Sequence, residues 1–256
     1  MTVQYKINSE YRHLEKEILN IPACFDTQGE VIYKGRNVLK VFEIGGIRMC
    51  VKSYKKPHLI NQVAYAYLRK SKAERAYIYA NRFLELGVAT PAPIAYILYK
   101  SRKGLFASYY ICLQEDNVNT LREVLKLSIE EQRDIFRAFT QFTYDFQQKG
   151  VFFMDHSMGN TLVRKENGIY RFFLVDLNRT HFRTISYKKG LKNLSLLELE
   201  DSMLEIIGKE YARLTEKDEE KTIKRLIFLT RVHDAKVRKN DFIRNTRRKI
   251  KRCLFP

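Results

Sequence analysis

Apolar positions first recur at helical spacing at about Glu10 to Leu19, where Tyr11, Leu14, Ile18 and Leu19 fall on one side. The period then shortens to two. Val31-Ile32-Tyr33, Val38 to Ile44 and Ile47 to Tyr54 read as three strands, joined by Gly35-Arg36-Asn37 and by Gly45-Gly46. The second of these joints is a two-residue hairpin signal. In the third strand Met49 and Val51 alternate with Arg48, Cys50 and Lys52, which puts Lys52 on the face opposite the apolar pair. Helical spacing returns over about Leu59 to Leu68 and Ala73 to Leu86, and Gly87, Pro91 and Pro93 end it. Strands at about Ile94 to Lys100 and Phe106 to Leu113 complete a five-stranded antiparallel sheet. A mainly helical half follows Glu115-Asp116-Asn117. The pattern predicts an α+β chain with a sheet half and a helical half, without repeats or long linkers.

The helical half is interrupted by one hairpin, and it carries the most chemistry. Asn167-Gly168 is the strongest short turn signal known for paired strands. With those two residues as the loop, Glu166 pairs with Ile169, and counting outward pairs Asn160 with Val175. Asn160 and Asp176 then meet at the open end of the hairpin, where directly paired residues lie roughly 4.5 to 5.5 Å apart. Two oxygen-bearing side chains so placed suit a small hard cation such as Mg2+, which needs only one or two protein oxygens. Asp155 lies five residues before Asn160. Asp-x-x-x-x-Asn followed by a metal-binding Asp is the spacing by which kinases position the base that accepts a hydroxyl proton.

Composition narrows the setting. The 256 residues, 45% hydrophobic, suffice for one sizeable core or for two lobes. The longest apolar runs fall far short of the roughly 20 residues of a membrane-spanning helix. The N-terminus lacks the pattern of a secretory signal, so the expected location is the cytoplasm. Four scattered cysteines without Cys-x-x-Cys spacing read as buried free thiols, and no histidine pair has zinc-ligand spacing. The net charge of +18 favours anionic partners. Ten of the bases lie between Arg231 and Arg252 against only Asp234 and Asp241, a basic arm at the C-terminal end.

Further blocks complete the picture: Tyr33-Lys34-Gly35-Arg36-Asn37-Val38-Leu39-Lys40, Val51-Lys52, Ser71-Lys72-Ala73-Glu74-Arg75-Ala76-Tyr77, Gly87-Val88-Ala89-Thr90-Pro91-Ala92-Pro93, Gly159-Asn160 and Leu174-Val175-Asp176-Leu177-Asn178-Arg179. In this order, from about residue 30 to 195, the chain resembles the lipopolysaccharide core kinases. These are the 3-deoxy-manno-octulosonate (Kdo) and heptose kinases, distant relatives of protein kinases. Asp-Leu-Asn-Arg, in place of Asp-Phe-Gly, is the most specific block.

The resemblance implies a two-lobed, protein-kinase-like fold: a helical extension over residues 1–29, an N-lobe over 30–116, and a C-lobe over 117–256 bearing the basic arm from about 231. It implies ATP-dependent phosphorylation of an inner-core sugar hydroxyl at the inner face of the inner membrane. Lys52 is then the phosphate-binding lysine, Asp155 the base, and Asn160 and Asp176 the magnesium ligands. Glu74 is the candidate partner of Lys52, with a solvated helix glutamate as the plain alternative. Gly35 and Arg36, with neighbouring amides, stand where a phosphate loop belongs, with an ordinary turn as the alternative. Two positions that are often histidine in these kinases are Phe146 and Phe153 here. No Ala-Pro-Glu follows Asp176, which favours a sugar or anionic glycolipid acceptor over a peptide. The arm reads as a membrane-surface element or as a solvated helix packed on the larger lobe. The competing functions are a kinase of another small alcohol or of a protein, and a silent nucleic-acid-binding protein. Against the latter, the arm has only Phe242 and Phe255 as aromatics and no nucleic-acid module is visible, so no nucleic acid is expected.

Overall fold

The computed structural model describes residues 2–57, 62, 65 and 69–254, with the backbone alone at 244–245 and 247–254. Of the helix expected at about Leu59 to Leu68, only Gln62 and Tyr65 are described. The chain divides into two compact units, Met1–Val118 with Phe173–Asn178, and Asn119–Phe172 with Arg179–Pro256.

The first unit is built on an antiparallel sheet in the order β1-β5-β6-β4-β3-β2. Its strands are β1 (Thr2–Ile7), β2 (Glu30–Lys34), β3 (Val38–Ile44), β4 (Ile47–Ser53), β5 (Pro93–Ser101) and β6 (Gly104–Leu113). Five correspond to the strands expected from the sequence. The sixth, β1, corrects the expected five-stranded sheet and the expected helical start: Thr2–Ile7 pairs with β5 from Thr2↔Lys100 to Ile7↔Ala95. All of its residues except Ile7 are exposed, so it has no buried stripe for a sequence to record. The helix expected at about Glu10 to Leu19 forms later, as a 3-10 turn at Ser9–Leu14 followed by α1 (Glu15–Cys24).

The two faces of this sheet have different cover. Met49, Val51, Ile97 and Ile111 pack with Ile18 and Ile21 of α1. On the other face Tyr54, Tyr96 and Leu98 pack with Ala73 and Tyr77 of α2 (Lys72–Glu85). Strand alternation puts Lys52 on the Tyr54 side, the side that α2 covers. Both ends of α2 are locally specified. The Ser71 hydroxyl accepts from the Glu74 amide at 3.1 Å. At the other end Gly87 takes φ 64°, which lets the Val88 amide reach the Phe83 carbonyl at 2.8 Å.

The second unit is mainly helical: α3 (Leu121–Val124), α4 (Ile129–Gln148), α5 (Tyr187–Leu194), α6 (Asp201–Thr215) and α7 (Glu219–Leu254). A capping box of Ser128 and Glu131 starts α4. Its Phe136 and Phe139 are fully buried against Phe172, Leu191, Leu204, Ile207 and Leu226. The expected hairpin forms as β9 (Thr161–Glu166) and β10 (Ile169–Leu174), and β9 also pairs with the short β7 (Asn119–Thr120). Asn167 and Gly168 take φ 48° and 82°, the left-handed pair that a two-residue hairpin requires. A short pair, β8 (Val151–Phe153) with β11 (Thr180–Phe182), brackets the segment that contains Asp155. The expectation of buried free thiols holds in part: Cys112 is buried, whereas the free Cys24 and Cys50 are half-buried. The Cys253 side chain lies outside the described residues.

Close packing in the second unit yields a stability prediction. Gly190 on α5 is buried, and a methyl group there would run into the Tyr211 hydroxyl and the Gln147 side chain, which are hydrogen-bonded to each other at 2.8 Å. Gly190→Ala is expected to cost about 1–3 kcal/mol, the usual toll of overpacking, despite alanine's better helix propensity. Urea denaturation checks this; an unchanged or raised midpoint refutes it.

Candidate active site

In the first unit the expected lysine and the expected metal ligand are found together. Lys52 Nζ lies 3.0 Å from Asp176 Oδ1. Asp176 reaches it because the preceding residues are fastened to the same unit. The Leu174 amide donates to the Ala89 carbonyl at 3.1 Å, and the Leu174 carbonyl accepts from the Thr90 hydroxyl at 2.7 Å. Asp176 itself takes φ 59°, a left-handed conformation that aspartate tolerates better than most residues. Burial opposes ionisation of its carboxyl. The Lys52 charge and hydrogen bond, the Asn178 amide and the Lys72 charge outweigh that and hold it below the usual carboxylate range.

Two further side chains complete this cluster. Asn178 Nδ2 donates to the Tyr54 hydroxyl at 3.1 Å and to Asp176 Oδ1 at 3.3 Å. Burial, together with the Asp176 charge, pushes the Tyr54 hydroxyl far up, so it keeps its proton. Neither residue was assigned a role from sequence. The signals were present: Tyr54 follows Lys52 at the strand period of two, and Asn178 stands two places after Asp176 in the Asp-Leu-Asn-Arg block.

Glu74 corrects an expectation. Among the described residues Lys52 is ion-paired with Asp176 and not with Glu74. Glu74 stands in the first turn of α2, where its charge acts on the Tyr96 hydroxyl instead. Gly35 and Arg36 lie in the turn between β2 and β3. The Gly35 amide is taken by the Asn37 carbonyl at 3.1 Å, and the Tyr33 ring fills the space of a Cβ there, so this amide is not presented to an anion. Arg36 lines a cavity of about 310 Å³.

The second unit holds the expected base. Asp155 follows β8 in a compact loop. The Met154 amide donates to the Arg179 carbonyl at 2.8 Å, Ser157 N to the Asp155 carbonyl at 2.8 Å, and Asn160 N to the Ser157 carbonyl at 3.0 Å. Asn160 Nδ2 donates to the same Asp155 carbonyl at 2.8 Å. The spacing of five between Asp155 and Asn160 is thus also a structural one: the amide of one closes the loop that carries the other. With its nitrogen so engaged, Asn160 turns its Oδ1 the other way, an uncharged hard oxygen of the kind magnesium takes. The Asp155 carboxylate accepts from the Arg179 guanidinium at 2.8 Å. Arg179, the last residue of the Asp-Leu-Asn-Arg block, had no role assigned from sequence.

Beneath the loop His156 is fully buried, with the rings of Phe139, Phe146 and Phe153 at 5.3, 5.5 and 5.9 Å. Its Nδ1–H points to the Asn193 carbonyl at 3.4 Å, and Asn193 Nδ2 donates to the Phe153 carbonyl at 2.7 Å. Burial pulls the imidazole down to about 4, against a smaller opposing effect of the Asn193 bond. An unfolded chain binds that proton at about 6.5. The folded state therefore loses stability as pH falls from about 6.5 to about 4, by roughly 3 kcal/mol in all, and is unaffected by this group above that window. Denaturation of the wild type and of His156→Gln from pH 7.5 to 4 checks this. The wild type should show the steeper acid loss, and parallel slopes refute the assignment.

Comparison with known proteins places these features. A solved structure described as WaaP in complex with acyl carrier protein superimposes with a TM-score of 0.61 at 17% identity, covering 92% of this chain and 98% of that one. At that identity the likeness establishes the fold, an α+β kinase-like architecture. No curated protein matches the chain. Residues 43–225, which include Lys52, Asp155, Asn160 and Asp176, match the lipopolysaccharide kinase (Kdo/WaaP) family, and the chain belongs to that family.

Proposed function

We propose that the protein transfers the terminal phosphoryl group of ATP to a sugar hydroxyl, of Kdo or of heptose, in the lipopolysaccharide inner core. The observation that carries this reading is Asp155, a half-buried carboxylate on a loop tied down by its own backbone and directed by Arg179. In the proposed reaction Asp155 takes the proton of the attacking hydroxyl, and Lys52 binds phosphate oxygens. Asn160 and Asp176 each offer an oxygen to magnesium, which when bound neutralises charge on the phosphates. Removing the proton acceptor while leaving the phosphate and metal groups intact separates chemistry from binding. Asp155→Asn is expected to lower kcat by about 10²- to 10⁴-fold while the Kd for MgATP stays within a factor of two or so. Turnover undiminished by this change removes the assignment.

The acceptor of such a reaction is anchored in lipid, and α7 supports a surface role for the basic arm. Its first half belongs to the body, with Leu226 and Thr230 fully buried. Arg231 pairs with Asp201 of α6 at 2.6 Å. Farther along, Phe242 and Ile243 are exposed on a backbone whose sequence is dense in Lys and Arg. No described helix is long and apolar enough to cross a membrane. Basic residues held at an anionic surface contribute about 1 kcal/mol each, screened beyond about 10 Å at 0.1 M salt. Truncation after Asn240 leaves the packed half of α7 in place. It is expected to weaken binding to vesicles containing anionic lipid and to lower activity on membrane-held acceptor, with activity on a soluble sugar fragment spared. Vesicle binding that is insensitive to truncation or to salt makes the arm a structural helix.

A further inference from the structure

The cavity in the first unit gathers Arg36, expected at a phosphate loop, with three lysines to which no role has been assigned. Its walls include Arg36, Tyr54, Lys55, Lys56, Lys72 and Ser108, and no acidic residue lines it. The four cations come from three separate places: the turn between β2 and β3, the segment after β4, and the first position of α2. Among the described residues none of the four has a carboxylate within ion-pair distance. Nor can the intervening chain supply one, because residues 54–73 contain five Lys and Arg and no Asp or Glu. Like charges gathered around a concavity repel one another, and the arrangement is stabilised when an anion enters.

Local contacts hold the ring of charge in place. The Lys56 ammonium lies 4.5 Å from the centre of the Phe106 ring. The Lys55 amide donates to Asn37 Oδ1 at 3.2 Å. Lys72 opens α2, so the positive end of that helix adds to the field. Burial, and then the Arg36 charge, press the Lys72 ammonium toward losing its proton, while Asp176 acts the other way. The Tyr54 wall places the cavity beside the Lys52–Asp176 pair, since the Lys52 ammonium lies 5.3 Å from the centre of that ring and the Tyr54 hydroxyl accepts from Asn178. Ammonium and guanidinium groups offer only donors, and a phosphate group offers several acceptor oxygens with up to two negative charges.

We propose that this cavity is a phosphate-binding site, distinct from the Lys52 contact, that receives a phosphate group of either the nucleotide or the acceptor. The inference rests on the kinase reading for the identity of those two sources and on the cavity alone for the ligand chemistry. The test uses the full chain and the double variant Lys55→Gln/Lys56→Gln, whose wild-type side chains are exposed and remote from the core. Inorganic pyrophosphate binding, followed by calorimetry, is expected to weaken about tenfold, as loss of charge-assisted hydrogen bonds implies. Lys55→Arg/Lys56→Arg should retain it. Two kinetic arms then identify the source. A higher KM for ATP, with AMP binding unchanged, assigns the site to a nucleotide phosphate. A higher KM for a phosphorylated acceptor, with its dephosphorylated form unaffected, assigns it to the acceptor. Pyrophosphate binding that is the same in wild type and the glutamine variant overturns the site. Pyrophosphate binding needs no turnover, so an inactive wild type would sink the kinase reading without touching this result.

Discussion

The ion pair between Lys52 and Asp176 is the constraint on which the first unit's chemistry rests. It joins β4 to Phe173–Asn178, a segment that the chain returns to the first unit after the stretch Asn119–Phe172 of the second. Such a pair gains little if its partners must search for each other, because fixing two side chains and the intervening chain costs entropy. Here that search is removed beforehand: both backbone groups of Leu174 are bound to Ala89 and Thr90, and the turn at Asp176 is set by its left-handed backbone. The remaining cost is desolvation, and Asn178, Lys72 and the Lys52 hydrogen bond offset it.

Charge is distributed unevenly around that pair. Arg36, Lys55, Lys56 and Lys72 line one cavity, and Asp176 is the acid whose charge reaches Lys72. The net +18 of the chain is therefore not only a property of the basic arm. Part of it is concentrated around a concavity, where the charges sum in one place instead of being spread over open surface. An anionic ligand is the natural counterpart of that arrangement, and a large neutral one is not.

The Asp155 loop is supported differently, by packing rather than by charge. The rings of Phe146 and Phe153 enclose His156 together with Phe139. Burial keeps that imidazole neutral, and Asn193 binds both it and the Phe153 carbonyl. These rings form an apolar floor under the loop, while above it Asp155, Asn160 and Arg179 are joined by hydrogen bonds. Rigidity below and polar contact above are what the proposed base needs to stay within reach of a hydroxyl.

Much of this was legible in the residues because it is local. Period-two alternation in β4 set the face of Lys52, Gly87 ended α2, and Asn167-Gly168 specified the hairpin that follows Asn160. The five-residue step from Asp155 to Asn160 marked the loop, and the ordered blocks marked the family. Four features depended on tertiary structure. Strand β1 carries no buried stripe, so only its pairing with β5 makes it a strand. The partner of Lys52 is Asp176 rather than Glu74, a choice made by the anchoring of Leu174 and invisible to spacing along a helix. The Arg179–Asp155 contact and the cation-lined cavity likewise join residues far apart in the chain. Sequence determines periodicity, turns and caps, because those arise from the conformational preferences of neighbouring residues. Which distant charges share a site is decided by packing, because Coulomb interactions and hydrogen bonds depend on distance in space and not on separation along the chain.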